Sequence, residues 1–238
     1  MKTLLSLSFF MLAFSTGIYS QQFSDSHLMD FQLKNIEDFY SNTTIKTNIE
    51  QNDKYLSNVK GSPYLVDEFK NGDIVTTSNT KYIGIPLRYN AYNNEFEDPN
   101  KNAYNLEKST IKNLQIGDTQ FIYKAYVINK NIAGRSYFEV LLSGKADLLK
   151  QYHVRFEPEK APAAYADPIP ARFSPEKADY YILFGDEAAQ RIDNTKELLS
   201  CIPDKKEEIE KFIKSNKLRM SNEKDVIKII EFYNSSEK

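Results

Sequence analysis

The sequence predicts an α+β fold: an antiparallel β-sandwich or an open, barrel-like sheet, followed by a C-terminal cluster of three short amphipathic helices. Between residues 61 and 192, apolar and β-branched runs of strand length alternate with turn residues at short intervals. That spacing is typical of antiparallel strands rather than of strands joined by crossover helices. After residue 192 the apolar residues recur every three or four positions, which is typical of helices.

The composition is that of an ordinary globular protein. The chain has 238 residues, of which 41% are hydrophobic and 27% are charged, and its formal net charge is −2. These values exclude collagen-like, low-complexity and wholly disordered chains, and they exclude a strongly basic nucleic-acid-binding protein. The length allows one large hydrophobic core or two small ones.

Residues 1–20 have the pattern of a secretory signal peptide, with a positive Lys2, an apolar run over 4–14 and a small Ser20 before the expected cleavage. Because a membrane-spanning helix needs about 20 apolar residues, this run is too short to cross a bilayer. An uncleaved anchor is the alternative. No second long apolar segment follows, so the mature chain is predicted to lack a transmembrane span. We expect export to the periplasm, the outer-membrane surface or the medium.

Residues 21–60 are polar and are predicted to form a loosely held arm. Within it, Leu33, Ile36 and Tyr40 have helical spacing, so a short helix near 29–41 is expected.

Turn residues and the alternation of apolar with polar residues define the predicted β domain, residues 61–192. Residues 137–142 and 145–152 are predicted to pair as a tight hairpin across Ser143-Gly144, and residues 180–184 and 188–192 as another. Between these hairpins, the segment 157–175 contains five of the nine prolines. Since proline breaks helices and removes a ladder donor, this segment is predicted to be an extended surface loop.

The C-terminal region, residues 193–234, is predicted to form three helices packed on the β domain. The first runs to Cys201 and is capped by Asn194 or Thr195. The second starts at Pro203 and ends near Asn216, and the third is capped by Ser221 or Asn222. The third presents one apolar stripe, formed by Val226, Ile229, Ile230 and Tyr233.

Two groups of motifs carry a resemblance to known sequences. The first comprises GSPYL at 61–65 and IPLRYN at 85–90, and the second PDKK at 203–206 and IEFYN at 230–234. Over about residues 60–234 the chain resembles a set of uncharacterised secreted proteins from Bacteroidota. The resemblance implies a Gram-negative cell envelope, and it brings no activity, ligand or catalytic residue with it.

The sequence lacks the usual signatures of catalysis. Its histidines and cysteine are His27, His153 and Cys201, and no two of them have metal-ligand spacing. Phosphate-binding glycine loops and a G-x-S-x-G motif are absent, so no metal or cofactor is predicted. Two routes to hydrolysis remain. One uses His153 as a general base, and the other uses a pair of carboxylates among Glu95, Glu97, Asp98, Glu139 and Asp147. Of these, Glu139 and Asp147 flank the first hairpin and could oppose each other.

Aromatic residues point instead to binding, since the chain has 16 Tyr and 15 Phe but no Trp. Tyrosine combines an apolar face with a polar tip, which suits protein or sugar recognition, although cross-strand packing is the favoured explanation of these residues. The predicted contact residues are Arg88, Tyr89, Tyr92, Tyr152, His153, Arg155 and Tyr165. The sequence therefore predicts a non-enzymatic binding module for an envelope protein or glycan, either monomeric or weakly dimeric. The alternative is a secreted hydrolase of envelope glycan or peptide that uses paired carboxylates or His153.

Overall fold

The computed structural model describes residues 59–97, 99, 110–161 and 167–235, together with the backbone of 32–34 and 103–104. The predicted signal peptide, most of the predicted arm and Tyr165 lie outside these residues. The predicted α+β class is confirmed, because strands make up most of the regular secondary structure of the described chain and three short helices end it. The strands, in chain order, are β1 (Gln32–Lys34), β2 (Lys70–Thr76), β3 (Thr80–Asn90), β4 (Glu95–Glu97), β5 (Ala103–Tyr104), β6 (Ile111–Ile116), β7 (Thr119–Ile128), β8 (Asn131–Leu142), β9 (Asp147–Gln151), β10 (Val154–Glu157), β11 (Arg172–Pro175), β12 (Asp179–Leu183) and β13 (Ala189–Arg191).

Strands β7, β8, β9, β12 and β13 form a closed barrel. Each pairs antiparallel with the next, and β13 returns to pair with β7 in parallel, with Ala189 opposite Tyr126. The closing pair is parallel because the fifth strand of an up-and-down series runs in the same direction as the first. The predicted barrel-like sheet is thus present, and it is closed by one parallel pair of strands. Its buried cluster consists of Ile122, Phe138, Leu149, Tyr181, Leu183 and Ala189.

The sheet continues from β7 through β6, β2, β3, β4 and β5, with β1 added beside β3. This part encloses a second core that includes Ile74, Leu87, Tyr89, Phe96 and Phe121. The prediction of a helix near 29–41 is wrong over Gln32–Lys34, which pairs in parallel with Thr80–Tyr82. A segment of three residues takes its conformation from the strand with which it pairs, and not from the helical spacing of its apolar residues.

The predicted loop 157–175 has strands at its two ends. Strand β10 pairs antiparallel with β11, so that Phe156 lies opposite Phe173, and Lys160 forms an isolated bridge with Ile169. Residues 172–175 are therefore strand rather than loop. Pro175 is tolerated there because it is the last residue of a strand in a two-stranded ribbon, where a missing N–H costs little.

The three helices are α1 (Thr195–Cys201), α2 (Lys206–Asn216) and α3 (Glu223–Ser235), with a short 3-10 turn at Pro203–Lys205. Asn194 caps α1 by accepting a hydrogen bond from the backbone N–H of Glu197 at 3.0 Å. Helix α2 ends at Asn216, as predicted, and the residue that follows it, Lys217, is left-handed with φ of 53°. None of the described helices is long and apolar enough to span a membrane.

The helices pack on the outside of the barrel through the predicted stripe of α3. Val226, Ile229 and Ile230 are fully buried in one cluster with Leu148 and Ile182 of the barrel strands. Because successive side chains of a strand point to opposite faces, their neighbours Leu149 and Tyr181 fill the barrel interior instead. Strands β9 and β12 are therefore buried on both faces.

Candidate binding site

The backbone of residues 60–65, here called the connecting segment, joins two separate parts of the sheet structure. On one side, Lys60 donates to the carbonyl of Ala171 at 2.9 Å and accepts from Phe173 at 2.8 Å. On the other side, Leu65 donates to the carbonyl of Tyr89 at 3.0 Å. The connecting segment thus fixes the β10–β11 ribbon against the end of β3.

Three aromatic rings meet where the ribbon and β3 come together. Tyr92 lies 5.2 Å from Phe173 and 6.4 Å from Phe156, and the two phenylalanines lie 5.1 Å apart, all between ring centroids. Phe173 is buried, whereas Tyr92 is 47% exposed and Phe156 is 38% exposed. This aromatic cluster is therefore anchored in the fold and partly open to solvent. Grouped exposed aromatics are typical of binding surfaces.

A cleft of about 440 Å³ opens beside the aromatic cluster. It is lined by Val59, Gly61, Ser62, Pro63, Tyr64, Asp67 and Phe173. Ser62 donates a hydrogen bond to the Asp67 carboxylate and accepts one from the Tyr64 backbone N–H at 3.0 Å. The cleft therefore combines one aromatic wall with a hydroxyl and a carboxylate.

Arg88 holds Tyr64 in place behind the cleft. Its guanidinium lies 3.5 Å from the Tyr64 ring centroid and 4.5 Å from that of Phe69, and it donates to the Tyr64 hydroxyl at 2.6 Å. Its charge is balanced by Glu97 at 3.0 Å. Burial and the nearby Glu97 carboxylate raise the pKa of Tyr64, so its phenol stays neutral. Arg88, a predicted contact residue, is thus placed as a support for the cleft.

A second groove, of about 390 Å³, is floored by the core residues Leu87, Tyr89 and Phe121. Exposed Leu65 and Val66 stand at its edge. Its lining also includes Glu68, Lys70, Arg88 and Thr119, so two predicted contact residues, Arg88 and Tyr89, line this groove. The cleft differs from it by lying beside the exposed rings of the aromatic cluster.

The other predicted contact residues separate into different environments. Arg155 is 58% exposed and pairs with Glu157 at 2.7 Å and with Glu176 at 3.1 Å, on the face of the ribbon opposite Phe156. Tyr89 is only 3% exposed and belongs to the core. Tyr152 is half-buried and donates its hydroxyl hydrogen to Glu139.

His153 has a carboxylate partner, but the described residues give it no nucleophile. Its Nε2 lies 3.0 Å from Asp179, which also binds Arg191 at 2.7 Å. Burial raises the pKa of Asp179, but the hydrogen bond from His153 and the charge of Arg191 outweigh it and hold that pKa below its usual range. The thiol of Cys201 donates a hydrogen bond to the side-chain oxygen of Gln190 at 3.4 Å. Burial raises the pKa of this thiol, which makes Cys201 a poor nucleophile.

The expected opposition of Glu139 and Asp147 is wrong. Glu139 lies across from Lys150 in the β8–β9 pair, and the carboxylate of Asp147 accepts from the backbone N–H of Gly144 at 2.9 Å. The reason is the register, because the turn occupies residues 143–146 instead of two residues and the pairing shifts between Val140 and Leu142. Within the described part of the chain, no group of three or more His, Cys, Asp or Glu side chains could hold a metal ion.

Sequence reasoning missed Phe156, Phe173, Ser62 and Asp67. The two phenylalanines carried a usable signal, since each alternates with charged or polar neighbours in a short run, as strand residues facing one side do. Ser62 and Asp67 carried none, because a serine and an aspartate in a turn are ordinary turn residues.

Compared with known proteins, the chain matches no protein-family model, no curated protein and no solved structure. The resemblance to secreted Bacteroidota proteins stays a prediction, and function is inferred from the geometry of the described residues.

Replacing Gly61 by alanine is expected to detach the connecting segment from the ribbon. Gly61 has φ of +76°, and an added Cβ would lie 2.3 Å from the carbonyl oxygen of Phe173. Alanine in a left-handed backbone conformation costs about 1–2 kcal/mol. The close contact with Phe173 would also push the connecting segment away from β11. Hydrogen exchange should show faster exchange of the Phe173 amide, which donates to Lys60.

Gly84→Ala is the matched control for this change. Gly84 has φ of +69°, but nothing lies within 4 Å of its added Cβ. It should incur the same backbone strain while the Phe173 amide keeps its protection. Equal protection of that amide in both variants would contradict the assigned contact.

Proposed function

We propose that this protein is a non-enzymatic binding module of the cell envelope, and that it binds its partner through the aromatic cluster and the adjoining cleft. The observation that carries this proposal is the exposure of Tyr92 and Phe156 in a group anchored by buried Phe173. Large aromatic side chains gain most from leaving water, so a partner that covers these two rings obtains a large contribution to affinity.

The site is held in shape before any partner arrives. The side chain of Asn90 accepts hydrogen bonds from the backbone N–H groups of Tyr92 at 3.1 Å and Asn93 at 3.0 Å. The carbonyl of Pro63 accepts a further bond from Tyr92 at 3.2 Å. A backbone fixed in this way lowers the entropy that binding would otherwise cost.

Export is the second part of the proposal. It rests on the positive start, the short apolar run and the small residue at position 20, together with the resemblance to secreted Bacteroidota proteins. An envelope location would bring the site into contact with envelope proteins and glycans.

Photo-crosslinking in the producing cells tests both parts. A benzophenone amino acid at position 92 should form adducts with a defined envelope component, and the adducted chain should begin at Gln21. The matched control is position 132, because Ile132 is 75% exposed but belongs to no exposed cluster in the described chain. Equal labelling at the two positions would contradict the assigned surface, and a chain that retains residues 1–20 would contradict export by cleavage.

A further inference from the structure

The cleft offers a ligand both an apolar surface and hydrogen-bonding groups. Phe173 forms part of its wall, and Tyr92 packs edge-on against Phe173 at its border. One oxygen of the Asp67 carboxylate accepts from Ser62, while the other has no protein partner among the described residues. That second oxygen can therefore accept a hydrogen bond from a ligand hydroxyl.

Several charged side chains near the cleft are paired within the protein. Arg88 pairs with Glu97, and Glu157 lies between Arg155 and Arg172 at 2.7 Å from each. Among the described residues that line the cleft, Asp67 is the only one with a charged side chain. Neutral hydroxyl groups suit this surface better than phosphates or highly charged peptides do.

The size of the cleft also limits the ligand. Its volume of about 440 Å³ includes space that is open to solvent, so the cleft can cover only part of a ligand and does not enclose it. A standard protein interface instead buries about 800 Å² on each partner around a hydrophobic centre. Among the described residues, the exposed rings beside the cleft are those of Tyr92 and Phe156, and they suit a short chain molecule better than a broad protein surface.

We infer that the cleft binds a neutral oligosaccharide, an inference that rests on the proposed binding function and names its ligand class. One sugar ring places its C–H face against the aromatic cluster, where Tyr92 offers an exposed ring. A hydroxyl of the same ring donates to the free oxygen of Asp67. Sugar rings have an apolar face and a polar rim, and the cleft presents the two matching surfaces side by side.

Calorimetric titration and saturation-transfer NMR with four neutral tetrasaccharides test the inference: maltotetraose, cellotetraose, chitotetraose and mannotetraose. We expect at least one to bind. Tyr92→Ala and Asp67→Asn should each weaken that binding about tenfold, through loss of one aromatic contact and of one charged acceptor respectively. The controls are Ile132→Ala and Asp118→Asn, which make the same changes at exposed positions away from the cleft and should leave affinity unchanged.

The outcomes separate this inference from the proposed function. Binding that survives both cleft substitutions would overturn the assigned site. No binding of any tetrasaccharide, together with specific adducts of a protein at position 92, would overturn the saccharide ligand and leave the binding function standing. Absence of both tetrasaccharide binding and adducts would overturn both. Unchanged thermal unfolding of Tyr92→Ala would show that its loss of affinity is local.

Discussion

Replacing Asn94 by alanine is expected to lower the free energy of unfolding by about 3–4 kcal/mol. Its side-chain oxygen accepts from the Tyr89 hydroxyl at 2.9 Å and from the Tyr137 backbone N–H at 3.2 Å. Its amide nitrogen donates to the Ser136 hydroxyl at 2.7 Å. Because these partners are buried, the substitution leaves polar groups that water cannot easily reach. Urea unfolding followed by circular dichroism would measure the loss.

The backbone at this position contributes separately and can be isolated. Asn94 has φ of 55°, a conformation that asparagine and glycine tolerate better than alanine does. Asn94→Gly removes the same hydrogen bonds without the left-handed strain, so its stability should fall between those of the wild type and Asn94→Ala. Wild-type stability for Asn94→Ala would contradict the assigned network.

The network explains how the binding surface is tied to the barrel. Ser136 also accepts from Gln151 at 2.8 Å, and Gln151 accepts from the Tyr181 hydroxyl at 2.8 Å. The turn that carries Tyr92 is thereby connected through Asn94 to strands β8, β9 and β12. A shift of this turn would leave buried donors without acceptors, which resists movement of the aromatic cluster.

Elements with a strong local pattern could be predicted from the sequence. The i, i+3, i+4, i+7 stripe of α3 is buried as expected, since that spacing repeats on one face of any helix. The two predicted hairpins correspond to antiparallel β8–β9 and β12–β13, because apolar runs separated by turn residues specify both strands and their reversal.

Pairing between distant segments could not be predicted in the same way. Closure of the barrel depends on two residue pairs between β13 and β7, and β1 contributes three residues to its pairing with β3. Neither of these short strands has enough alternation of apolar and polar residues to predict which strand it pairs with. A one-residue shift of register also decides which side chains oppose each other, which is why Glu139 and Asp147 do not meet.

In the candidate site, too, some features could be predicted from the sequence and others could not. Tyr92 and Arg155 were predicted contact residues and are exposed, whereas Tyr89 was predicted on equal grounds and is buried. Residue type cannot separate them, because a strand tyrosine suits either face. The aromatic cluster forms because the ribbon brings Phe156 and Phe173 beside Tyr92. The ribbon is held in this position by its backbone hydrogen bonds to the connecting segment.

Asn234→Ala is expected to cost about 2–4 kcal/mol, because it removes two hydrogen bonds at the contact between α3 and the β8–β9 turn. The side-chain oxygen of Asn234 accepts from the Ala146 N–H at 2.9 Å, and its nitrogen donates to the Ala146 carbonyl at 2.9 Å. Ala146 is fully buried, so both backbone groups would lose their partners. Thermal or urea unfolding would measure the effect.

Asn216→Ala is the matched control, since Asn216 is exposed at the end of another helix and donates to its own helix, to the carbonyl of Phe212 at 3.0 Å. It should cost about 0.5 kcal/mol or less. Equal losses in the two variants would contradict a specific role for the Ala146 contact.

The Asn234→Ala variant also distinguishes two ways in which the helices could be held. If α3 were an independent layer, ellipticity at 222 nm would be lost at lower urea than tyrosine fluorescence. Leu148 and Ile182 pack against the helices, however, while their neighbours Leu149 and Tyr181 fill the barrel. Loss of the helices would expose one face of strands whose other face is the barrel core, so we expect the two signals to fall together in a single transition.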